Sequence, residues 1–236
     1  LPAGTPAPGQ LLRTLKSALG EADACLAAKF HAKEDVNQLV KARAWVDSLQ
    51  VGGIIASIGS PLDIAAKLNV LQQHAAIPLL VTSDLEGGTV MRFNGGTAFP
   101  TNMGVAATGR ELDAYEMGRI TALEGRSVGI HLVFAPVADV NNNAANPIIN
   151  TRSFGGDPGA VGRLVAAAIR GTQSAGMWAT AKHFPGQGMS SIDAHLKRQS
   201  AFTGTSIAFA CMAIRCALDR RRGRAVVRRA VLPQFS

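Results

Sequence analysis

The 236-residue chain is 47% apolar and 17% charged, a balance that fits a globular protein with a buried core. It contains no run of eighteen apolar residues, so no membrane-spanning helix is expected. The net charge of +8 is confined to one end: residues 1–196 hold 15 Lys/Arg against 15 Asp/Glu, whereas 197–236 hold nine against one acid, Asp219. The main body is therefore not expected to bind nucleic acid, which needs clustered charge on a folded face.

Leu1-Pro2-Ala3-Gly4-Thr5-Pro6 opens a Pro/Gly-rich stretch without a basic or apolar targeting segment. Residues 1–30 read as leader and linker, the start of a processed or partial chain. Cys25, Cys211 and Cys216 are too few and too scattered for a disulfide framework or a metal site, and no cofactor is expected. Residues 34–50 have helical spacing, with Val36, Leu39, Val40, Ala44 and Val46 as the apolar positions. Residues 51–58 are an apolar, β-branched run that predicts a buried strand. Ser60-Pro61 predicts an N-cap and first turn, followed by a helix over 61–74 with Leu62, Ala65, Ala66, Leu68 and Leu71 as its apolar positions. The next strand, 78–83, ends in Asp84-Leu85-Glu86-Gly87-Gly88. A long loop over 85–110 holds Arg92, and a helix over 111–127 follows with Leu112, Tyr115, Met117, Ile120 and Leu123. Residues 129–136 predict a third strand that closes in Asp139, and an Asn-rich loop leads through Arg152 to Gly155. A helix over 159–175, with Val161, Leu164, Val165, Ala168 and Ile169, precedes a fourth strand, 177–182.

The order is a helix and then βαβαβαβ. Buried strands joined by helices imply a parallel sheet. Polar groups collect at the carboxyl ends of the strands: Asp84, Asp139, then Lys182 and His183. Such a collection is what a (β/α)8 barrel or a doubly wound sheet shows. No Gly-x-Gly-x-x-Gly follows a strand and no Walker-type loop occurs, which removes the main nucleotide-binding readings. The densest chemistry lies in Ala181-Lys182-His183-Phe184-Pro185-Gly186-Gln187-Gly188 and in Asp193-Ala194-His195 just beyond. Pro185, Gly186 and Gly188 end the strand and open a loop.

Four ordered segments, Ser83–Phe93, Gly129–Val140, Asn150–Pro158 and Lys182–Gly188, resemble glycoside hydrolase family 3 of bacteria. With Asp193-Ala194-His195 the likeness is closest to its β-N-acetylglucosaminidase branch, and it covers roughly residues 30–196. The resemblance implies a TIM-type (β/α)8 barrel of which about four βα units are present in residues 31–196. It also implies retaining hydrolysis of terminal β-N-acetylglucosamine or β-glucose in carbohydrate metabolism, including peptidoglycan turnover. On that resemblance His195 is the acid–base group and Asp193 its partner, a spacing that lets the carboxylate fix one imidazole nitrogen. Asp84, Arg92, Arg152, Lys182 and His183 match the positions that line the sugar pocket; Arg can fork two bonds to hydroxyls. Glu86 is assigned a structural or supporting role, and Phe154, Phe184 and Trp178 are assigned to packing. No metal is implied.

The likeness stops near residue 197. The family's nucleophile is an Asp on a later strand, and the only acid after His195 is Asp219, beside Arg220-Arg221-Arg222 and after no strand pattern. Residues 197–236 are read either as frameshifted or as a basic, helical tail that binds anionic surfaces. Four βα units would leave the first and fourth strands as open edges, which predicts a marginal fold that needs self-association or a partner fragment, or that does not accumulate. The implied partner is a small saccharide or glycan. A non-catalytic carbohydrate-binding or interaction domain of the same descent is the competing function. Cytoplasmic and exported locations are both open, with export favoured.

Overall fold

The computed structural model describes residues 27–31, 36–184, 186–191 and 226–229. These fall into two compact units, one within 1–98, 121–133 and 176–178, the other within 99–120, 134–175 and 179–236. Asp193 and His195 lie outside the described residues.

In the first unit, β1 (Ala27–His31), α1 (Val36–Leu49), β2 (Gly53–Ser57), α2 (Pro61–His74) and β3 (Leu80–Ser83) follow one another, and β4 (Leu132–Val133) completes the set. Every pairing is parallel: Ala27 opposite Gly53, Gly53 opposite Leu80, Thr82 opposite Leu132. Parallel neighbours need crossovers, and α1 and α2 supply two of them. Ile54, Ala56 and Val81 of the strands are buried, as are Ile64, Leu68 and Leu71 of α2. Each such Leu or Ile stabilises the fold by about 1.5–3 kcal/mol.

Helix α2 starts as its sequence predicts. The Ser60 hydroxyl accepts from the Asp63 backbone N–H at 3.1 Å, and Pro61 occupies the first turn, where no N–H is needed. After α2, the Gln72 amide closes the link to β3 by donating to Leu79 O and accepting from Leu79 N, both at 2.9 Å.

Two helix faces differ from the sequence reading. Helix α1 buries Ala42 and Val46, while Val40 is 60% exposed. Helix α2 buries Ile64 and leaves Leu62 80% exposed. The phase of the helix against the sheet decides burial, and residues four apart share a face whatever their size.

All of strand β1 but His31 lies within the stretch, 1–30, read as leader and linker. Its sequence, Ala-Ala-Lys-Phe-His, has little intrinsic preference for a strand beyond Phe30. A further strand, β6 (Val226–Arg229), lies in the stretch read either as frameshifted or as a basic, helical tail. The strands over 51–58 and 177–182, expected as edges, therefore each carry an additional parallel neighbour.

The second unit holds α3 (Asn102–Ala106) in the stretch read as a loop. It also holds α4 (Glu111–Ser127) as far as Ile120, α5 (Pro158–Ser174) and β5 (Trp178–Phe184) from Ala179. All five apolar positions predicted for α5, Val161, Leu164, Val165, Ala168 and Ile169, are buried. They pack with Met117, Val140, Phe154, Ala179 and Ala181, and Phe184 lies against this core. Asp157 caps α5, accepting from Ala160 N at 2.6 Å, with Pro158 in the first turn.

Helices α4 and α5 approach through glycines. A Cβ on Gly118 would meet the Ala168 carbonyl oxygen, and one on Gly171 the Tyr115 carbonyl oxygen. Alanine is worth up to ~1 kcal/mol over glycine by helix propensity. Against this, backbone cannot move aside as a side chain can, so overpacking wins. Gly171→Ala is expected to destabilise by about 1–3 kcal/mol, read as a lower midpoint in urea unfolding; a raised midpoint would show that the helices can separate freely.

Strand β5 is held on one side by Thr180 N donating to Ala135 O (2.9 Å), Lys182 N to Pro136 O (3.1 Å) and Ala138 N to Lys182 O (2.5 Å). On the other side Thr180 and Ala181 lie opposite Val226 and Val227 of β6. This double pairing fixes where β5 releases its last residues.

Candidate functional site

Strand β5 ends in Lys182 and His183, and the carboxylate of Asp139 lies against that end. Asp139 follows the segment that pairs with β5, and its side chain is wholly enclosed. One carboxylate oxygen, Oδ2, is 2.6 Å from His183 Nδ1 and accepts the His183 backbone N–H at 3.1 Å. The other, Oδ1, accepts the Gln187 backbone N–H at 2.5 Å. A carboxylate with two backbone N–H groups and a ring nitrogen on its two oxygens is fixed in orientation, and it fixes those groups in turn. The His183 side chain keeps 18% of its surface exposed, so an edge of the ring is reachable. Lys182 is 6% exposed.

The loop after β5 is tied to the Asn-rich loop 141–149. Asn146, buried, donates through Nδ2 to Gln187 O (2.7 Å) and Gly188 O (3.0 Å). Its Oδ1 accepts from Ile148 N (2.9 Å) and Ile149 N (2.8 Å), so all four bonding positions of the amide are used. Asn143 Nδ2 reaches Met189 O and Ser190 O at 3.3 and 3.2 Å. Gly188 is required by packing, since a Cβ there would meet the Val140 carbonyl oxygen.

Arg152 ends a 3-10 turn, Asn150–Arg152, in the same unit. Its Nη1 donates to Ile148 O (2.8 Å), and its carbonyl accepts from Asn102 Nδ2 (2.7 Å). Lys182, His183 and Arg152 are thus each built into one framework with Asp139 and Asn146. Sequence reasoning had noted Asp139 as a strand-end acid but had not placed it in the site, and it had missed Asn143 and Asn146. A carboxylate at a strand terminus was the available signal for Asp139. Nothing local marks the two asparagines as parts of a site, because the carbonyls that their Nδ2 groups reach lie more than forty residues away.

In the first unit, Asp84 follows β3 directly and is half-buried. Arg92 closes a 3-10 turn, Thr89–Met91. Its carbonyl accepts from Gly59 N (3.2 Å), its Nη1 donates to Met91 O (3.4 Å), and its Nε is buried with no hydrogen-bond partner. Glu124 of α4 holds this loop through the hydroxyls of Thr89 and Thr97 and through Thr97 N (3.2 Å). Burial pushes the Glu124 carboxyl up, but the hydrogen bonds from Thr89 and Thr97 outweigh it and hold the group below the usual range. Glu86 is buried.

Chemically, His183 offers an imidazole edge, Lys182 an ammonium and Arg152 a guanidinium. Donors of this kind suit a polyhydroxylated or anionic ligand. Among the described residues no group of three or more His, Cys, Asp or Glu could hold a metal ion. No helix among them is long and apolar enough to cross a membrane.

Comparison with known proteins identifies the family. Residues 24–205 match the glycosyl hydrolase family 3 N-terminal domain. A β-N-acetylglucosaminidase/β-glucosidase of Cellulomonas fimi is 38% identical over 63% of this chain and 26% of its own length. The β-hexosaminidase LpqI of Mycobacterium tuberculosis is 35% identical over 68% of this chain and 42% of its own. The chain thus spans well under half of these curated relatives. Among solved structures, a family 3 β-N-acetylglucosaminidase from Paenibacillus sp. superposes with a TM-score of 0.74 at 35% identity, over 88% of this chain and 41% of that one. NagZ from Neisseria gonorrhoeae, solved with N-trifluoroacetyl-D-glucosamine, superposes with a TM-score of 0.72 at 27% identity, over 87% and 62%. The parallel βα units are part of the TIM-barrel-like α/β fold of those enzymes, and the chain belongs to glycosyl hydrolase family 3.

Proposed function

We propose that this chain supplies the sugar-binding and proton-transfer groups of a retaining glycosidase site for terminal β-N-acetylglucosamine or β-glucose residues. The observation that carries the reading is the framework at the end of β5, which fixes His183 through Asp139 and Lys182 through backbone bonds to Pro136 and Ala138. The sugar ligands in this reading are Lys182, His183 and Arg152, with Asp84 and Arg92 on the family resemblance. His195 would protonate the leaving oxygen, oriented by Asp193. Two findings support the sugar class. A related structure holds an N-acylated glucosamine, and a curated relative carries both the N-acetylglucosaminidase and the glucosidase names. Retaining cleavage also needs a second carboxylate as nucleophile. The one acid after His195, Asp219, stands among arginines, so the chain by itself is proposed to bind sugar without turning it over.

Calorimetric titration with N-acetylglucosamine tests the binding half. Saturable binding is expected, weakened about 10- to 100-fold by Lys182→Ala, as loss of a charged hydrogen-bond partner implies. Equal affinity in the variant would remove Lys182 from the site. Release of nitrophenol from an aryl N-acetylglucosaminide, abolished by His195→Ala, would overturn the claim of binding without turnover.

A further inference from the structure

Lys182 and Arg152 can only donate hydrogen bonds, whereas a sugar hydroxyl both donates and accepts. Asp84 is the acceptor that the family resemblance supplies, but a hydroxyl that meets only Lys182 and Arg152 would leave its proton without a partner. His183 is the one of these three side chains able to accept, and whether it does depends on which ring nitrogen carries the proton. We infer that Asp139 is a positioning residue that sets this: it holds His183 as the Nδ1–H tautomer, so that Nε2 presents a lone pair to a ligand hydroxyl. This inference rests on the reading above that His183 meets sugar.

An ionised carboxylate has acceptor sites only, so the 2.6 Å approach of Oδ2 to Nδ1 requires the proton on Nδ1. In the neutral ring the remaining lone pair is then on Nε2. The His183 backbone N–H donates to the same oxygen at 3.1 Å, so the ring is pinned at its root as well as at its edge. The second oxygen takes the Gln187 N–H, so the carboxylate is clamped from both sides and cannot turn away from Nδ1. A merely structural carboxylate would need only the two backbone bonds. The third bond, to the ring, is the one that selects a tautomer.

Asp139→Asn is the test, because it keeps the shape and lets Oδ1 still accept from Gln187. Its amide nitrogen then replaces the oxygen that faces both Nδ1 and the His183 backbone N–H, so the backbone N–H loses its acceptor and the ring proton should move to Nε2. Nitrogen-15 NMR of histidine-labelled protein reads the tautomer directly. The expected result is Nδ1–H in the native chain and Nε2–H in Asp139→Asn, with N-acetylglucosamine affinity falling about 10- to 100-fold in the variant. An Nε2–H ring in the native chain, or the same tautomer in both proteins, would overturn the inference. So would unchanged sugar affinity in Asp139→Asn alongside lost affinity in His183→Ala. If the variant does not fold, the native spectrum alone decides the tautomer. If the native chain binds no sugar, the proposed function fails, and the tautomer assignment is still judged by that spectrum.

Discussion

Asp139→Ala is expected to lower the unfolding free energy by about 3–5 kcal/mol, a large part of the total for a domain of this kind. Three donors lose their acceptor at once: the His183 backbone N–H, the His183 ring N–H and the Gln187 N–H. Each buried donor left unsatisfied costs ~1–3 kcal/mol. Water refilling the space offsets part of that sum, and for this reason the expected value stays below the arithmetic maximum. The loop after β5 should loosen together with the strand end, since Gln187 N and the Asn146 amide anchor adjacent positions of it. Urea unfolding at neutral pH measures the change, and amide exchange at residues 186–190 should rise with it. A loss below ~1 kcal/mol would mean that Asp139 is not the keystone of this loop pair.

The second large effect is a dependence of stability on acid, carried by His131. This ring is fully buried beside β4 and accepts the Val81 backbone N–H on Nδ1 at 3.0 Å. Its own backbone N–H donates to Val81 O at 2.8 Å, and its Nε2 has no hydrogen-bond partner. Burial and then the nearby charge of Arg126 push the imidazole down to about 4. Protonating Nδ1 would also destroy the bond from Val81. The folded value lies below the ~6.5 of an exposed histidine, so the unfolded chain takes up the proton first. The contribution is therefore complete above pH ~6.5 and is lost as pH falls from there toward about 4. Between pH 7.5 and 4.5 the expected loss is roughly 2–3 kcal/mol. Comparing urea midpoints at the two pH values in the native chain and in His131→Gln isolates it from the carboxylates. An equal slope in both proteins would contradict the assignment.

The legible parts of the fold were those where one residue's chemistry decides a local outcome. Ser60-Pro61 and Asp157-Pro158 start their helices through hydrogen bonds and a fixed φ that need no tertiary context. Helix α5 was legible because its apolar face is wide and unbroken. Helix α1 was not, because its buried face turns on Ala42, too small to stand out in a hydrophobic pattern. Strand β1 exists by pairing with β2, and its Ala-Ala-Lys-Phe-His sequence carries no signal of its own. Within the site, Lys182 and His183 were visible as charged residues at the end of an apolar run. The groups that hold them were not, because Asp139 reaches His183 across 44 residues and Asn146 reaches Gln187 across 41. His131 was quoted as part of a motif, but its burial against Val81 is a tertiary fact.

The central claim is that the end of β5, braced by Asp139, is where this chain meets a sugar. Amide chemical-shift mapping during titration with N-acetylglucosamine tests it most directly, because it reports position as well as binding. The expected result is saturable shifts concentrated at Lys182, His183, Gln187 and Gly188, abolished by His183→Ala. Shifts confined to the arginine-rich residues 220–229, or none at saturating sugar, would contradict it.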